Sequence, residues 1–293
     1  MTTRACLQAT LADRLGSAVE ARWIAEEVLG SASSSEHEVG DAEIALLSVM
    51  AERRAAGEPL QYVLGSWAFR ALELGVDRRA LIPRPETEQV VEIAIAELRH
   101  AVGARRATSP ATLADLGTGT GAIALAISAE LGEGRPDLRV WATDAQADAL
   151  ELAGENLARV ARAHPWVARQ VRTRRGRWFG ALPAAERGRL DLVVANPPYV
   201  SEEEWESLDA EVRLEPRSAL VAGRGTDGTP GFADVETVVS GAREWLMATG
   251  VVVVELAPAQ AAAAAELAGR LGYRHVRIER DLAGRDRAVV ARR

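Results

Sequence analysis

At 293 residues, 48% apolar and 26% charged, the chain can fill one large core or a large and a small one, and is neither membrane-like nor disordered. Asp and Glu outnumber Lys and Arg by 42 to 35, a net −7 that gives no general attraction to phosphate backbones, although the arginines between 159 and 177 leave a local basic patch open. A single cysteine, Cys6, argues against a disulfide framework and a thiolate metal cluster, and the lack of a bilayer-length apolar run or a secretory leader makes a cytoplasmic protein without a metal the expectation.

In chain order, Leu11, Leu15, Val19, Trp23 and Val28 recur mostly at four-residue steps, with Ser17 as a cap between two helices. Gly30 and the run Ser33 to Ser35 break that pattern. Asp41 then caps a helix whose inner face is Ile44, Leu47 and Met50, so residues 1–60 read as a small helical domain. Residues 61–85 read as a connector of short strands or a hairpin, with Val63, Trp67, Phe69, Leu72, Leu74 and Val76 set among Gly65 and Gly75. It closes on "LIPRPETE", where Pro85 precedes a helix beginning at Glu86.

From 86 to 293 strands and helices alternate. Helices are expected at 86–101, after "DLG", at 146–162, at 232–248 and at 258–271. Strands are expected at "ATLADLG", "RVWATD", "ARQVRTRR", "LDLVVA" and "GVVVVELA". Alternation of this kind makes a parallel sheet covered on both faces. The last two runs, "YRHVRIER" and "DRAVVARR", have no helix between them, which requires an antiparallel strand at the end. The expected fold is α/β, a seven-stranded Rossmann-like sheet with a small N-terminal helical domain.

"DLGTGTGAIALA" sets Gly117, Thr118, Gly119, Thr120 and Gly121 between a strand and a helix, where glycine lets backbone approach a ligand. Asp144 ends the next strand, where a carboxylate can accept from both ribose hydroxyls. Together these make a nucleoside site; the bland reading is a tight turn beside a solvated acid. Asp115, at the end of the first strand, suits a cationic ligand better than a pyrophosphate. The block resembles the first motif of S-adenosylmethionine-dependent methyltransferases, which implies that the turn passes the methionyl end and Asp144 holds the ribose.

"LVVANPPYVS" ends a buried strand in an elbow, Asn196, Pro197, Pro198 and Tyr199. Two prolines stiffen it and remove competing N–H groups. The Asn196 side-chain oxygen and the Pro197 carbonyl can accept the two N–H bonds of a planar NH2 group, and Tyr199 can stack on its plane. Acceptors that tighten as charge develops favour the transition state over the ground state. No strong base is needed, which suits a chain whose four histidines, His37, His100, His164 and His275, are scattered and expected at the surface.

The whole chain resembles one family, the release factor glutamine methyltransferases, also called HemK or PrmC. "RRAAGEPLQYVLG", "LIPRPETE", "DLGTGTGAIALA", "ANPPYV", "EPRSALVAG" and "DLAGRDR" look like its blocks, in its order, between residues 53 and 287. The resemblance implies methyl transfer from S-adenosylmethionine to the glutamine of the Gly-Gly-Gln motif of bacterial class 1 release factors. It implies cofactor contacts at residues 117–121, Asp144, Trp178 and Asn196, substrate contacts at Asn196, Pro197, Pro198 and Tyr199, and a helical domain that grips the release factor. Nucleic acid and membrane are not expected partners, and a monomer is expected. Trp178 of "GRWFGAL" can pack on adenine or simply belong to the core. Where the family often has an acid before this Trp, the chain has Arg177, which cannot accept a hydrogen bond, so a modest loss of cofactor affinity is expected. Arg84 and Glu86 suit either an orienting or a capping role, and Glu255 has no assigned one. Two other classes stay open: a methyltransferase of exocyclic adenine nitrogens, which would use the same elbow on a flipped base, and a cofactor-binding scaffold without activity.

Overall fold

A computed structural model describes residues 3–31, 34–103 and 110–293. It divides into two compact units, one running to Trp67 and including Asp209–Leu214, the other comprising Ala68–Leu208 and Glu215–Arg293.

The first unit holds α1 (Arg4–Leu15), α2 (Ala18–Leu29), α3 (Asp41–Ala55) and α4 (Leu60–Leu64). Its core is built from Leu11, Ile24, Leu29, Leu47, Met50, Leu60 and Val63. Ser17 caps α2 by accepting from the Glu20 amide at 3.3 Å. The cap of α3 is Gly40, one residue before the expected Asp41, because the Glu43 carboxylate reaches back to the Gly40 amide at 2.8 Å. Ser33 lies outside the described residues. Residues 60–64 are helical where strands were expected: Pro59 presets the entry and Gly65, at φ +78°, ends the turn. Arg54 ties the unit together through Glu20 at 2.8 Å and Glu211 at 3.0 Å.

A hairpin, β1 (Ser66–Phe69) and β2 (Leu72–Gly75), follows, then α5 (Pro85–Gly103). The second unit continues with β3 (Thr112–Leu116), α6 (Ala122–Leu131), β4 (Arg139–Asp144), α7 (Ala147–Val160), α8 (Val167–Gln170), β5 (Val171–Arg175) and β6 (Leu190–Ala195). Short helices α9 (Glu202–Trp205) and α10 (Arg217–Leu220) lead to α11 (Ala233–Trp245), β7 (Leu246–Glu255), α12 (Ala261–Arg270), β8 (Arg274–Arg280) and β9 (Asp286–Arg292). The sheet order is β5-β4-β3-β6-β7-β9-β8, parallel except for β9, which runs against both its neighbours.

Why the central strands read as unbroken apolar runs is plain from their two faces. Leu113, Leu192, Val194, Val251 and Val253 pack with α5 and α6, while Ala114, Leu116, Val193, Val252 and Val254 pack with α11 and α12. Alternate side chains of one strand thus enter two different cores. β5 has neither: apart from Val171 it is exposed, and its sequence VRTRR puts charge on an open edge. Among the described residues no helix is long and apolar enough to cross a membrane.

Candidate active site

The carboxyl ends of four neighbouring strands stop in one row. Leu116 of β3 stands opposite Thr143 of β4 and Ala195 of β6, and Ala195 stands opposite Val254 of β7. The next residue along each chain segment, Gly117 after β3, Asp144 ending β4, Asn196 after β6 and Glu255 ending β7, is therefore delivered to the same rim. The order of the strands reverses between β3 and β6, the switch point where open α/β sheets bind ligands. A cavity of about 340 Å³ lies there, lined by residues 117–120, Asp144, Trp178, Asn196, Pro198, Asp234 and the loop 79–84. That volume suits a small-molecule site.

The glycine turn is held by backbone and side-chain bonds from β4 and α7. Gly117, Gly119 and Gly121 have φ of +76°, +54° and +85°, a region L side chains avoid. The Gly117 and Thr118 amides both donate to the Thr143 carbonyl at 2.8 Å, and the Gly119 amide donates to Asp144 Oδ2 at 3.0 Å. The Thr120 carbonyl accepts from Asn156 Nδ2 at 2.9 Å. A Cβ on Gly117 would stand 3.4 Å from the Trp178 ring, so the indole lies over the turn. Asp144 also accepts from the Gln146 amide at 2.9 Å; burial raises its pKa, and about two acceptor positions remain for a ligand.

Asp115 does not face the cavity, contrary to the expectation from its place in the sequence. It is fully buried behind the turn, where Oδ2 accepts from the Thr118 hydroxyl at 2.6 Å and the Ala124 amide at 3.1 Å. Desolvation pushes its pKa up to about 7. It stitches the turn to α6 and offers nothing to a cation.

Trp178 has φ +47° and donates from Nε1 to Asp234 Oδ1 at 3.2 Å. Arg177 donates to the same oxygen at 2.9 Å. Asp234, buried in the first turn of α11, thus puts a carboxylate beside the indole. Sequence reading missed it, because an acid in a helix's first turn is ordinary and nothing local marks this one.

At the elbow, Asn196 and Pro198 line the cavity. Pro197 is buried in the turn, and Tyr199 packs against the α11 and α12 side of the core; neither is part of the cavity wall. The Tyr199 and Val200 amides donate to the Leu220 carbonyl at 3.2 and 2.9 Å, and the Tyr199 carbonyl accepts from Gln260 Nε2 at 3.0 Å. Burial, and then the nearby Glu255 carboxylate, push the Tyr199 phenol up to about 12. Asn196 Nδ2 donates to Thr87 Oγ1 at 3.2 Å, and Thr87 Oγ1 donates to Glu255 Oε2 at 2.8 Å.

The "LIPRPETE" loop is clamped from "EPRSALVAG". Glu215 accepts from the Ile82 amide at 2.9 Å and pairs with Arg84. Glu86, in the first turn of α5, pairs with Arg285 at 3.0 Å. Of the histidines, His100 and His275 are exposed, but His37 and His164 are half-buried, and His164 meets Trp166 edge-on at 5.2 Å. None of the four lines the cavity.

A Cβ-free backbone cradle, an acid on the next strand and an indole over the turn fit a nucleoside. This fold and rim define a class, the Rossmann-like methyltransferases that use S-adenosylmethionine. Family models agree: the Methyltransferase small domain matches residues 102–216 and the PrmC N-terminal domain residues 4–65. The N-terminal domain of human METTL16 in complex with SAH shares the fold at a TM-score of 0.50 and 15% identity, over 86% of this chain and 82% of that one. Release factor glutamine methyltransferases of Aliivibrio fischeri and Bordetella pertussis are 36% and 37% identical, over 86% and 92% of this chain and 80% and 92% of theirs. The chain belongs to the release factor glutamine methyltransferase family.

Proposed function

We propose that the Asn196 elbow holds the side-chain carboxamide of a release factor glutamine, in its Gly-Gly-Gln motif, for methylation at N5. The reaction is transfer of a methyl group from S-adenosylmethionine to that nitrogen, which bears on translation termination. The observation that carries this reading is the shared strand row: Asn196, just after β6, and Gly117, just after β3, are brought to one cavity by registered neighbouring strands.

Bound at the glycine turn, S-adenosylmethionine supplies an electrophilic methyl whose departure leaves a neutral thioether. Gly117 to Gly121 accommodate it with bare backbone, Asp144 accepts from the ribose, and Trp178 covers the adenine side. Asn196 Oδ1 and the Pro197 carbonyl accept the two carboxamide N–H bonds, Pro198 walls the position, and the half-buried Tyr199 offers its ring to the carboxamide plane. As the nitrogen acquires positive charge both acceptors bind more strongly, and alignment supplies the rest of the acceleration. The proton leaves after transfer, so no strong base is required.

The helical unit serves to grip the release factor. In support, Val19, Leu46 and Val49 are about half exposed although that unit has a core of its own. The enzyme acts as a monomer on protein and not on nucleic acid, a preference its net charge of −7 favours.

Incubation of the enzyme with a Gly-Gly-Gln release factor and S-adenosylmethionine, followed by mass spectrometry, tests this. One added methyl on that glutamine is expected. Methyl on DNA or RNA with none on the factor would transfer the site to the adenine reading.

A further inference from the structure

Asn196 can help only if its oxygen, and not its NH2, faces the incoming carboxamide. The two ends of an amide have the same shape, so packing alone does not choose between them. A hydrogen-bond argument does. Thr87 has a single hydroxyl proton. It lies 2.8 Å from Glu255 Oε2, on a residue with no exposed surface, and a carboxylate can only accept. The Thr87 proton is therefore committed to Glu255. Its oxygen, 3.2 Å from the Asn196 amide, must then accept, so Nδ2 turns to Thr87 and Oδ1 is left for the rim.

We infer that Thr87 and Glu255 are positioning residues that set the direction of the Asn196 amide, with the buried carboxylate as the polar end of the chain. The inference rests on the methyl-transfer reading above and assigns the Thr of "LIPRPETE" and the acid of "VVVELAPAQ" their roles. A buried carboxylate is expensive to keep, and Oε1 of Glu255 has no hydrogen-bond partner among the described residues. An apolar residue there would give a simpler core but would leave Thr87 free to donate to Asn196 and reverse the amide.

The relay has a proton-dependent consequence. Glu86 and Thr87 of α5, Arg84 before it, Tyr199 of the elbow and Arg287 of β9 face Glu255. Desolvation outweighs the Thr87 bond and the two arginines, and holds this carboxyl up at about 7. Once protonated, Glu255 can donate to Thr87, which frees the Thr87 proton for Asn196 Oδ1. The productive direction belongs to the ionised form, so turnover should rise with pH through the neutral range.

The experiment compares Thr87→Val, Thr87→Ser and Glu255→Gln with the wild-type enzyme on a Gly-Gly-Gln release factor. Thr87→Val, which keeps the shape and loses the hydroxyl, is expected to lower kcat by about ten- to a hundredfold with cofactor affinity retained. Thr87→Ser is expected to recover most of the lost rate. The wild-type acid limb of kcat near pH 7 is expected to disappear in Glu255→Gln. Wild-type kcat in Thr87→Val, or an acid limb unchanged in Glu255→Gln, would overturn the relay. Should Thr87→Val unfold, the Glu255→Gln profile decides alone. A wild-type enzyme that adds no methyl to glutamine refutes the underlying reading, whereas normal methylation with indifferent variants refutes only the relay.

Discussion

The glycine turn and the Asn196 elbow lie on one rim and are backed by acids that reach them in different ways. Each rests on a buried carboxylate, Asp115 behind the turn and Glu255 behind the elbow, and desolvation lifts both to about 7. Asp115 reaches its partners Thr118 and Ala124 within nine residues, whereas Glu255 and Thr87 are 168 residues apart. The acid behind the turn is local to it, although Thr143, Asp144 and Asn156 of β4 and α7 also hold the turn. The elbow is local only in its stiffness; its direction comes from α5, β7, Gln260 and Leu220, contributed by distant parts of the chain. On the function proposed above, binding the cofactor would draw on the first kind of support and aiming one amide at one nitrogen on the second.

Substitutions that separate binding from aiming should break the two regions apart. The largest effect is expected from Asn196→Ala. Removal of one acceptor that acts on developing charge should lower kcat by about 10²–10³-fold, with cofactor affinity changed only a few-fold by calorimetry. Asp144→Ala should do the reverse. Loss of a ribose acceptor is expected to weaken S-adenosylmethionine by roughly ten- to a hundredfold, on the order of 1.5–3 kcal/mol for hydrogen bonds to a charged group. The rate at saturating cofactor should stay within a few-fold. Equal losses of rate and affinity in both variants would mean that the rim works as one unit.

A subtler break comes from outside the cavity. Gly231 has φ +65°, and a Cβ there would lie 2.2 Å from the Tyr199 carbonyl oxygen and 3.0 Å from Gln260 Nε2. Gly231→Ala must push the elbow or give up the Gln260 bond that holds it. A stability loss of about 1–3 kcal/mol in thermal unfolding and a roughly tenfold lower kcat are expected, with cofactor affinity untouched. A variant with normal turnover would show that the elbow keeps its aim without its rear support.

The same contrast explains what could be read from the sequence. The sheet was legible because its central strands are buried on both faces, and the alternation of apolar runs with helical periods reports that directly. The left-handed glycine turn and the place of Asp144 at the end of its strand were legible because both are encoded where they stand. Residues 60–64 misled because a five-residue helix set between Pro59 and Gly65 carries too few turns to show a period. Asp115 was placed on the correct strand but facing the wrong way: its position predicts the rim, and only the Thr118 and Ala124 bonds show that it points behind it. Thr87, Glu215 and Asp234 were missed in their roles because each acts on a loop far from it in sequence, through a partner that no local pattern names.

Arg177 offers the finest test of the comparison, and the smallest expected effect. From sequence, an Arg where the family often has an acid suggests a lost acceptor and weakened cofactor binding. The structure supplies another carboxylate: Asp234 Oδ1 accepts from both Trp178 Nε1 and the Arg177 guanidinium. With 74% of the Arg177 side chain exposed and 10% of Asp234, solvent screens the pair, so Arg177→Ala should alter stability by less than about 1 kcal/mol. It should also leave S-adenosylmethionine affinity within about threefold, since Trp178 keeps its bond to Asp234. Arg177→Asp is more informative. It sets a second carboxylate against Asp234 and the indole anchor, so calorimetry should find binding no tighter than in the wild-type enzyme. Tighter binding would mean that an acid at 177 reaches the ligand directly, and that on this side of the cavity the turn depends on its neighbour in sequence after all.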